Sequence, residues 1–463
     1  MSDTAISDTT RRVLVVGLRA TGAAVASVLR SEGADVVVVD DRLTGPAGAM
    51  FDPGLPDDPE LVARAAAVRE RGGAVVAPPS DWSEFLREWS ITLVVPSPGV
   101  RPDHPLIGAA CALGISVRSE IDLAAERIGV PLIAVTGTNG KTTVTELIVE
   151  MLRASGLETE FGGNIGDPLI NRAGSTADVV VAEVSSFQLE FTTVAWHPQV
   201  SVLLNVADDH LDWHGSRARY DAAKAKIFAN QSVRDVLVAN LDDECVATLV
   251  RSSSSGIIGV RDRTPDHLTL ADGRPLIDTS ELPRSLPHDR TNSLAAAEAA
   301  LAGGADLDAI RSVLRRYVTL PHRVQYVATV DGVDYFDDSK ATNPHAAIRA
   351  VEAFESVVLC AGGLNKALDL AVLAHDLSHI RAVVAFGAAS DEVAAAFTGR
   401  RPVAIAQTMD DVVGAAADFA QPGDAVLLSP GCASFDAYAN YGERGDDFAR
   451  SVRARLATVE ATR

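Results

Sequence analysis

The stretch Val135-Thr136-Gly137-Thr138-Asn139-Gly140-Lys141-Thr142-Thr143 has the makings of a phosphate loop. Two glycines permit a tight turn, backbone N–H groups can wrap phosphate oxygens, Lys141 supplies a cation, and the Thr142 hydroxyl can reach Mg2+. The strict GxxxxGK[ST] pattern fails at its first position, where Val135 stands. Both flanks nevertheless agree with the assignment. A strand-like run at 132–135 precedes the loop, and Val144, Leu147, Ile148, Met151 and Leu152 follow it at helical spacing. The next β-branched run, 179–184, carries Glu183 near its carboxyl end, a hard carboxylate suited to Mg2+. The run 200–204 leads to Asn205 and then Asp208-Asp209-His210-Leu211-Asp212. His210 alone would be read as an ordinary histidine; beside a phosphate loop and Glu183 it becomes a candidate ligand. A GTPase is not supported, because Asn240-Leu241-Asp242-Asp243 places Leu where a guanine-reading element needs Lys.

Two further blocks offer binding groups. Near the start, a strand-like run at 13–16 ends in Gly17-Leu18-Arg19-Ala20-Thr21-Gly22, and the run at 36–39 ends in Asp40. A strand, a glycine turn, a helix and an acid at the next strand end suggest a Rossmann-like nucleotide site, with Ser97-Pro98-Gly99 lining the same crevice. Arg19 occupies the second glycine position of GxGxxG, which weakens a dinucleotide oxidoreductase. Toward the other end, Asp338–Asn343, Gly362-Gly363-Leu364-Asn365-Lys366 and Ser429–Asp436 each follow a strand-like run. They are expected to converge at the carboxyl edge of one sheet. Lys366 offers a cation for a carboxylate, and Thr342, Ser434 and loop N–H groups offer donors, an inventory that suits a dicarboxylic amino acid. Cys432 has no evident paired base and is read as a packed residue.

The elements that must position these groups repeat as strand, loop and helix. Strand-like runs at 13–16, 36–39, 93–95, 132–135, 179–184, 200–204, 357–359, 383–386 and 425–428 alternate with alanine-rich helical stretches. This pattern predicts an α/β chain with mainly parallel sheets in three domains. They are a Rossmann-like domain at 1–128, a P-loop ATPase-like domain at 129–320 and a Rossmann-like domain at 321–463. The segment 251–284, richer in Ser, Pro, Asp and Gly, is expected to hold short strands or an insertion. With 463 residues, about three domains is the ordinary count. A net charge of −21 opposes nucleic-acid or anionic-membrane partners, so an anionic substrate must meet local cations or helix N-termini. Four cysteines without CxxC spacing, a polar N-terminus and no apolar run near ~20 residues lead to the expectation of a cytoplasmic protein without membrane insertion.

These motifs, in this order, resemble the Mur ligases of peptidoglycan synthesis. The resemblance rests on Gly137–Thr142, Glu183 with Ser185-Ser186-Phe187-Gln188-Leu189, Asn205 with Asp209-His210-Leu211-Asp212, Pro321-His322-Arg323, and Asp337–Asn343. Gly162-Gly163-Asn164-Ile165-Gly166 and Ser429–Asp436 make it similar to the D-glutamate-adding branch, and the Asp-Asn-Pro-Arg element of the diamino-acid-adding branch is missing.

The resemblance implies an ATP-dependent amide ligase acting through an acyl phosphate, with ATP and two Mg2+ as cofactors. It implies UDP-N-acetylmuramoyl-L-alanine and D-glutamate as substrates; a monomer is expected. By implication, Thr21, Gly22, Asp40, Gly99, Asn164 and His210 contact the UDP substrate. Gly137, Thr138, Asn139, Gly140, Lys141, Thr142 and Thr143 hold ATP phosphates, with Asn292 near adenine, Arg323 at the γ-phosphate, and Asp338 and Lys340 near ribose and phosphates. Thr142, Glu183, His210 and a carbamylated Lys224 serve the metals. Lys141, Glu183, His210, Lys224 and Arg323 are the implied catalytic groups, and Thr342, Lys366, Ser434, Phe435 and Tyr441 receive D-glutamate. Asp289 departs from the pattern, standing beside His288 where the D-glutamate enzymes often carry Asn. A folylpolyglutamate synthase-like ligase or a different Mur ligase, a non-catalytic nucleotide-binding scaffold and an oxidoreductase are the competing readings. Intact Lys141, Glu183, His210 and Arg323 argue against the scaffold.

Overall fold

The computed structural model describes residues 12–43, Gly48 and 58–462. The short β-branched runs form strands because their side chains fill both faces of helix-covered parallel sheets. The first sheet contains β1 (Arg12–Val16), β2 (Asp35–Val39), β3 (Ala74–Val76), β4 (Leu93–Pro96) and β5 (Ser116–Val117), in the order β3-β2-β1-β4-β5 and parallel throughout. Its order reverses between β1 and β4, so the loops after these two strands share the crevice at which open α/β sheets bind ligands.

The second sheet is built from β6 (Leu132–Thr136), β7 (Thr159–Gly163), β8 (Val179–Glu183), β9 (Val200–Leu203), β10 (Val236–Asn240) and β11 (Gly256–Val260). Its order is β11-β10-β9-β6-β8-β7, again parallel. β6 is thus central, flanked by β8 and β9, and the loop following it lies between the ends of those strands. The helix Lys141–Ala154 buries Val144, Leu147, Ile148, Met151 and Leu152. Each contributes about 1.5–3 kcal/mol of burial, which anchors the loop from its C-terminal side. The expected short strands of the segment 251–284 are β11 and the antiparallel ribbon β12 (His267–Thr269) and β13 (Pro275–Asp278).

The third sheet comprises β14 (Gln325–Val330), β15 (Val333–Asp337), β16 (Val357–Gly362), β17 (Ile380–Phe386), β18 (Val403–Ala406) and β19 (Ala425–Gly431), ordered β14-β15-β19-β16-β17-β18. Only β14 runs antiparallel to its neighbour among these described strands. Two apolar layers sandwich this sheet. One is centred on Leu359, Val383, Leu427 and Phe397, the other on Val358, Val384, Val426 and Phe448.

The described residues gather into two compact units. One lies within Met1–Val206, Ala218–Leu282 and Arg290–Arg316 and contains the first two sheets; the other lies within Ala207–Arg217, Pro283–Asp289 and Tyr317–Arg463 and contains the third. Within the first unit, the helix Glu120–Ala125 joins the two sheets. Glu120 accepts a hydrogen bond from Ile170 N (2.6 Å), and Asp122 accepts from both N and Oγ1 of Thr193 (2.8 Å each). No described helix is long and apolar enough to cross a membrane.

Candidate active site

The phosphate loop is held open by glycine and clamped from the neighbouring strand. Gly140 caps the helix Lys141–Ala154 at φ +84°, and a Cβ there would lie 2.6 Å from Asn292 Oδ1, so only glycine allows the turn and the close approach of Asn292. A Cβ on Gly137 would meet Leu204 Cβ at 2.9 Å. Asn205, just beyond β9, supports the loop from the side. Its Oδ1 accepts from Asn139 N (2.8 Å), its Nδ2 donates to Asn139 O (3.1 Å), and its own carbonyl accepts from Thr138 N (2.9 Å). The sequence placed Asn205 at a strand end without this role.

Two lysines and a tyrosine complete this cluster. Lys141 Nζ donates to the carbonyls of Gly137 (2.9 Å) and Thr138 (3.0 Å). Lys224 Nζ, in a side chain only 2% exposed, donates to the same Gly137 carbonyl (2.7 Å) and lies 4.7 Å from the centre of the Tyr220 ring. Tyr220 OH shares a hydrogen bond with Thr138 Oγ1 (2.9 Å). Lys141, Lys224, Thr138, Asn139 and Asn292 are therefore brought onto one loop, with Thr142 half-buried and Thr143 buried on the first helical turn. The hydroxyl pairing of Tyr220 was not legible in the sequence.

β8 delivers Glu183 beside this loop, in register with Val135 of β6. Glu183 is 1% exposed; its Oε1 accepts from Asn164 Nδ2 (2.7 Å), while its Oε2 is buried without a hydrogen-bond partner. A spare, desolvated carboxylate oxygen is costly unless a cation or donor meets it. It therefore fits the Mg2+ that the family resemblance implies. Among the described residues no group of three or more His, Cys, Asp or Glu could hold a metal. The glycine loop holding Asn164 is also steric in origin. Gly163 sits at φ +107°, and Asn164 N donates to Glu183 O (2.8 Å).

In the first sheet, Gly17 turns the chain at φ +92°, and a Cβ on Gly22 would lie 1.8 Å from Gly17 O, so the helix Ala20–Ser31 can begin there only with glycine. Thr21 is half-buried beside it. Asp40 accepts from Leu18 N (2.6 Å) and from the Arg42 guanidinium at both oxygens (2.8 and 2.9 Å). Burial alone would raise the Asp40 carboxyl, but Arg42 and the N–H donors outweigh it and hold the group below the usual carboxylate range. Ser97 Oγ donates to Gly17 O (3.3 Å), which ties the loop after β4 to the glycine turn. Gly99 is exposed, with nothing within 4 Å of where its Cβ would be.

In the second unit Thr342, Lys366, Ser434 and Phe435 stand on the loops after β15, β16 and β19, and Tyr441 opens the helix Tyr441–Thr462. Leu364 and Ala433 exchange backbone hydrogen bonds (2.8 and 2.9 Å), locking the loop that carries Lys366 to the loop that carries Ser434. Lys366 Nζ pairs with Asp209 Oδ1 (2.7 Å), whose Oδ2 accepts from Asn343 Nδ2 (3.1 Å) and lies 3.6 Å from His210 Nε2. His210 itself adopts a left-handed φ of +53° and begins the short helix Leu211–His214. Lys340 Nζ lies 4.0 Å from the centre of the Tyr441 ring. Ser434 is buried, Thr342 half-buried and Phe435 69% exposed.

Asp338 is buried; Ser429 Oγ donates to it (2.7 Å), yet desolvation pushes its carboxyl up to about 7. Cys432 has its thiol pushed up to about 12 by burial, in keeping with a packed residue. Arg444, unnoticed in the sequence, is fully buried. It donates to Ser339 Oγ and O (2.9 and 2.8 Å) and to the carbonyls of Cys432 and Ala433 (3.1 and 3.2 Å). One guanidinium thus fixes the spacing of the loops after β15 and β19, though burial lowers its pKa to about 10.

Comparison with known proteins bears on the same segments. The Mur ligase middle domain matches residues 135–261, and the Mur ligase glutamate ligase domain matches residues 322–432. The chain is 40% identical over 462 residues to a UDP-N-acetylmuramoylalanine–D-glutamate ligase of Desulfosudis oleivorans, covering 96% of each chain. It is 41% identical over 469 residues to one of Frankia casuarinae, covering 96% of this chain and 94% of the relative. The solved structure of MurF from Acinetobacter baumannii shares the fold, with a TM-score of 0.57 at 18% identity over 95% of this chain and 93% of that one.

Proposed function

The chain belongs to the Mur ligase family, and from that premise we propose that it joins D-glutamate to UDP-N-acetylmuramoyl-L-alanine at the expense of ATP, in peptidoglycan precursor synthesis. The observation that carries the chemistry is the buried Glu183, with one oxygen spare, on the strand beside a clamped phosphate loop. ATP and Mg2+ are the cofactors, and two ions would serve the site. Bound Mg2+ would screen the charge of the phosphates and of the attacking carboxylate. Glu183 and the Thr142 hydroxyl would hold one ion, and His210 and Lys224, once carbamylated, the other.

The substrate carboxylate is a poor acylating agent until it gains a leaving group. Its oxygen attacks the γ-phosphorus, the bond from phosphorus to the ADP oxygen breaks, and an acyl phosphate forms. Lys141 and Arg323 neutralise the charge that spreads over the phosphoryl oxygens, so catalysis here is mainly positioning and electrostatics. Lys366, Thr342, Ser434 and loop N–H groups hold the carboxylates of D-glutamate, with Phe435 and Tyr441 bordering them. The amine attacks the acyl carbon and loses a proton, the bond from carbon to the phosphate oxygen breaks, and amide and phosphate leave. Gly137–Thr143, Asn292, Asp338 and Lys340 serve ATP, while Thr21, Gly22, Asp40, Gly99, Asn164 and His210 serve the UDP substrate.

Residues 1–128, 129–320 and 321–463 act as the UDP-sugar, ATP and amino-acid domains of a cytoplasmic monomer. The test is phosphate release from Mg-ATP and UDP-N-acetylmuramoyl-L-alanine with D-glutamate, L-glutamate or meso-diaminopimelate in parallel. Release with D-glutamate alone, lost in Lys141→Ala, is expected; release with none of the three overturns the assignment.

A further inference from the structure

Asp289, which departs from the pattern of the family the chain resembles, stands in the first turn of the helix Pro287–Ala302 and has a charged partner. Arg284 donates from Nε to Asp289 Oδ2 (2.6 Å) and from Nη2 to Oδ1 (2.7 Å), a two-pronged ion pair with Asp289 8% and Arg284 24% exposed. The third nitrogen, Nη1, turns away and donates to the carbonyl oxygens of Arg323 and Val324, the latter at 3.0 Å. One planar guanidinium therefore ties the segment before that helix to the backbone of Arg323.

That backbone needs holding. His322 has φ +62° and Val324 φ +48°, so Arg323 lies between two left-handed residues, one of them β-branched. A β-branched residue in this region is an outlier that persists only where its surroundings over-determine it. The surroundings do so. Asp338 Oδ1 accepts from Val324 N (3.2 Å), Gln325 Oε1 accepts from His322 N (3.0 Å), Lys340 N donates to His322 O (3.1 Å), and Arg284 takes the two remaining carbonyls. Lysine could not replace Arg284, because an ammonium lacks the planar fork that meets a carboxylate with one edge and carbonyls with the other.

We propose that Arg284 and Asp289 are positioning residues that hold the strained His322-Arg323-Val324 segment in the shape that presents the Arg323 guanidinium to the terminal phosphate of a nucleoside triphosphate. The inference rests on the reading of Arg323 as the γ-phosphate residue. A backbone free to relax would redirect that guanidinium, whereas the loop 137–143 keeps its own supports in Asn205 and Tyr220. Loss of the staple therefore weakens triphosphate binding selectively.

The experiment is calorimetric titration of the full-length protein with Mg-ATPγS and, separately, Mg-ADP. The proteins are the wild type, Arg284→Gln, Arg284→Lys, Asp289→Asn, the Arg284→Gln/Asp289→Asn double variant and Arg323→Ala. Arg284→Gln should weaken ATPγS about tenfold, equivalent to about 1.4 kcal/mol, with ADP within about twofold. Arg284→Lys should rescue little, Asp289→Asn should fall between, and the double variant should be no worse than Arg284→Gln, because the two side chains act as one unit. Equal weakening of both nucleotides, or no change in either, overturns the inference. Arg323→Ala should abolish the preference for ATPγS; a preference unchanged there overturns the underlying γ-phosphate reading, and the inference with it. If Arg284→Gln fails to fold, Asp289→Asn, which keeps the side-chain shape, decides by the same ratio. None of these readouts requires ligase turnover.

Discussion

Replacing Gly163 by alanine should uncouple the predicted metal carboxylate from its support. Gly163 ends β7 in register with Glu183 at the end of β8, at φ +107°. An added Cβ would lie 2.3 Å from Glu183 O, 3.4 Å from its C and 3.6 Å from its N, all backbone atoms of a central strand that cannot swing aside. The unfavourable φ costs about 1–3 kcal/mol for a residue other than glycine. Separating the strands also forfeits the hydrogen bond from Asn164 N to Glu183 O, worth about 1 kcal/mol. A loss of about 2–4 kcal/mol in urea unfolding is expected on these terms. Because Asn164 Nδ2 would leave Glu183 Oε1, the variant should also need more Mg2+ for half-maximal phosphate release, even under conditions where it is fully folded. Unfolding free energy within about 0.5 kcal/mol of wild type, the range of neutral surface changes, together with an unchanged Mg2+ requirement, would refute the steric argument.

Other perturbations test separate links. Tyr220→Phe removes the bond to Thr138 Oγ1 and should raise KM for ATP about 3–10-fold, the worth of one ordinary hydrogen bond, with KM for D-glutamate unchanged in steady-state assays. Cys432→Ala should keep ligase activity within about twofold, since a thiol pushed up to about 12 is no nucleophile near neutrality; loss of turnover without loss of folding would count against a packing role. Glu120 is buried with Oε2 unpartnered and its carboxyl pushed up to about 7 by desolvation, above the value of 4.5 it has when exposed. The folded state then binds more protons than the unfolded state between those values, so this group's contribution to stability is present at low pH and is lost as pH rises through about 7. Glu120→Gln should flatten that part of the dependence in denaturation midpoints measured from pH 5 to 8, and parallel profiles would contradict it.

What the sequence disclosed follows from how far apart the cooperating residues stand. The phosphate loop was readable because its cause is local: the preceding strand, Gly137, Gly140 and the amphipathic helix after Lys141 are contiguous. Glu183 was readable for the same reason, at the end of a β-branched run. β7 was not, because Thr159-Glu160-Phe161-Gly162-Gly163 has little strand propensity and exists as an edge strand only through its pairing with β8. Asn205, Tyr220 and Arg444 were opaque as functional groups because each acts on a partner 66, 82 or 105 positions away, and no periodicity encodes such a pairing. Asp289 is the instructive case. By sequence it was a departure beside His288; in space it is half of an ion pair whose other half, Arg284, carried no signal in the sequence. An exchange of amide for carboxylate at a buried position is tolerable only when a cation arrives with it, because the unpaired charge would cost several kcal/mol. The remaining donor of Arg284 reaches the carbonyls of Arg323 and Val324, so the charge of Asp289 is paired by the same group that braces that backbone.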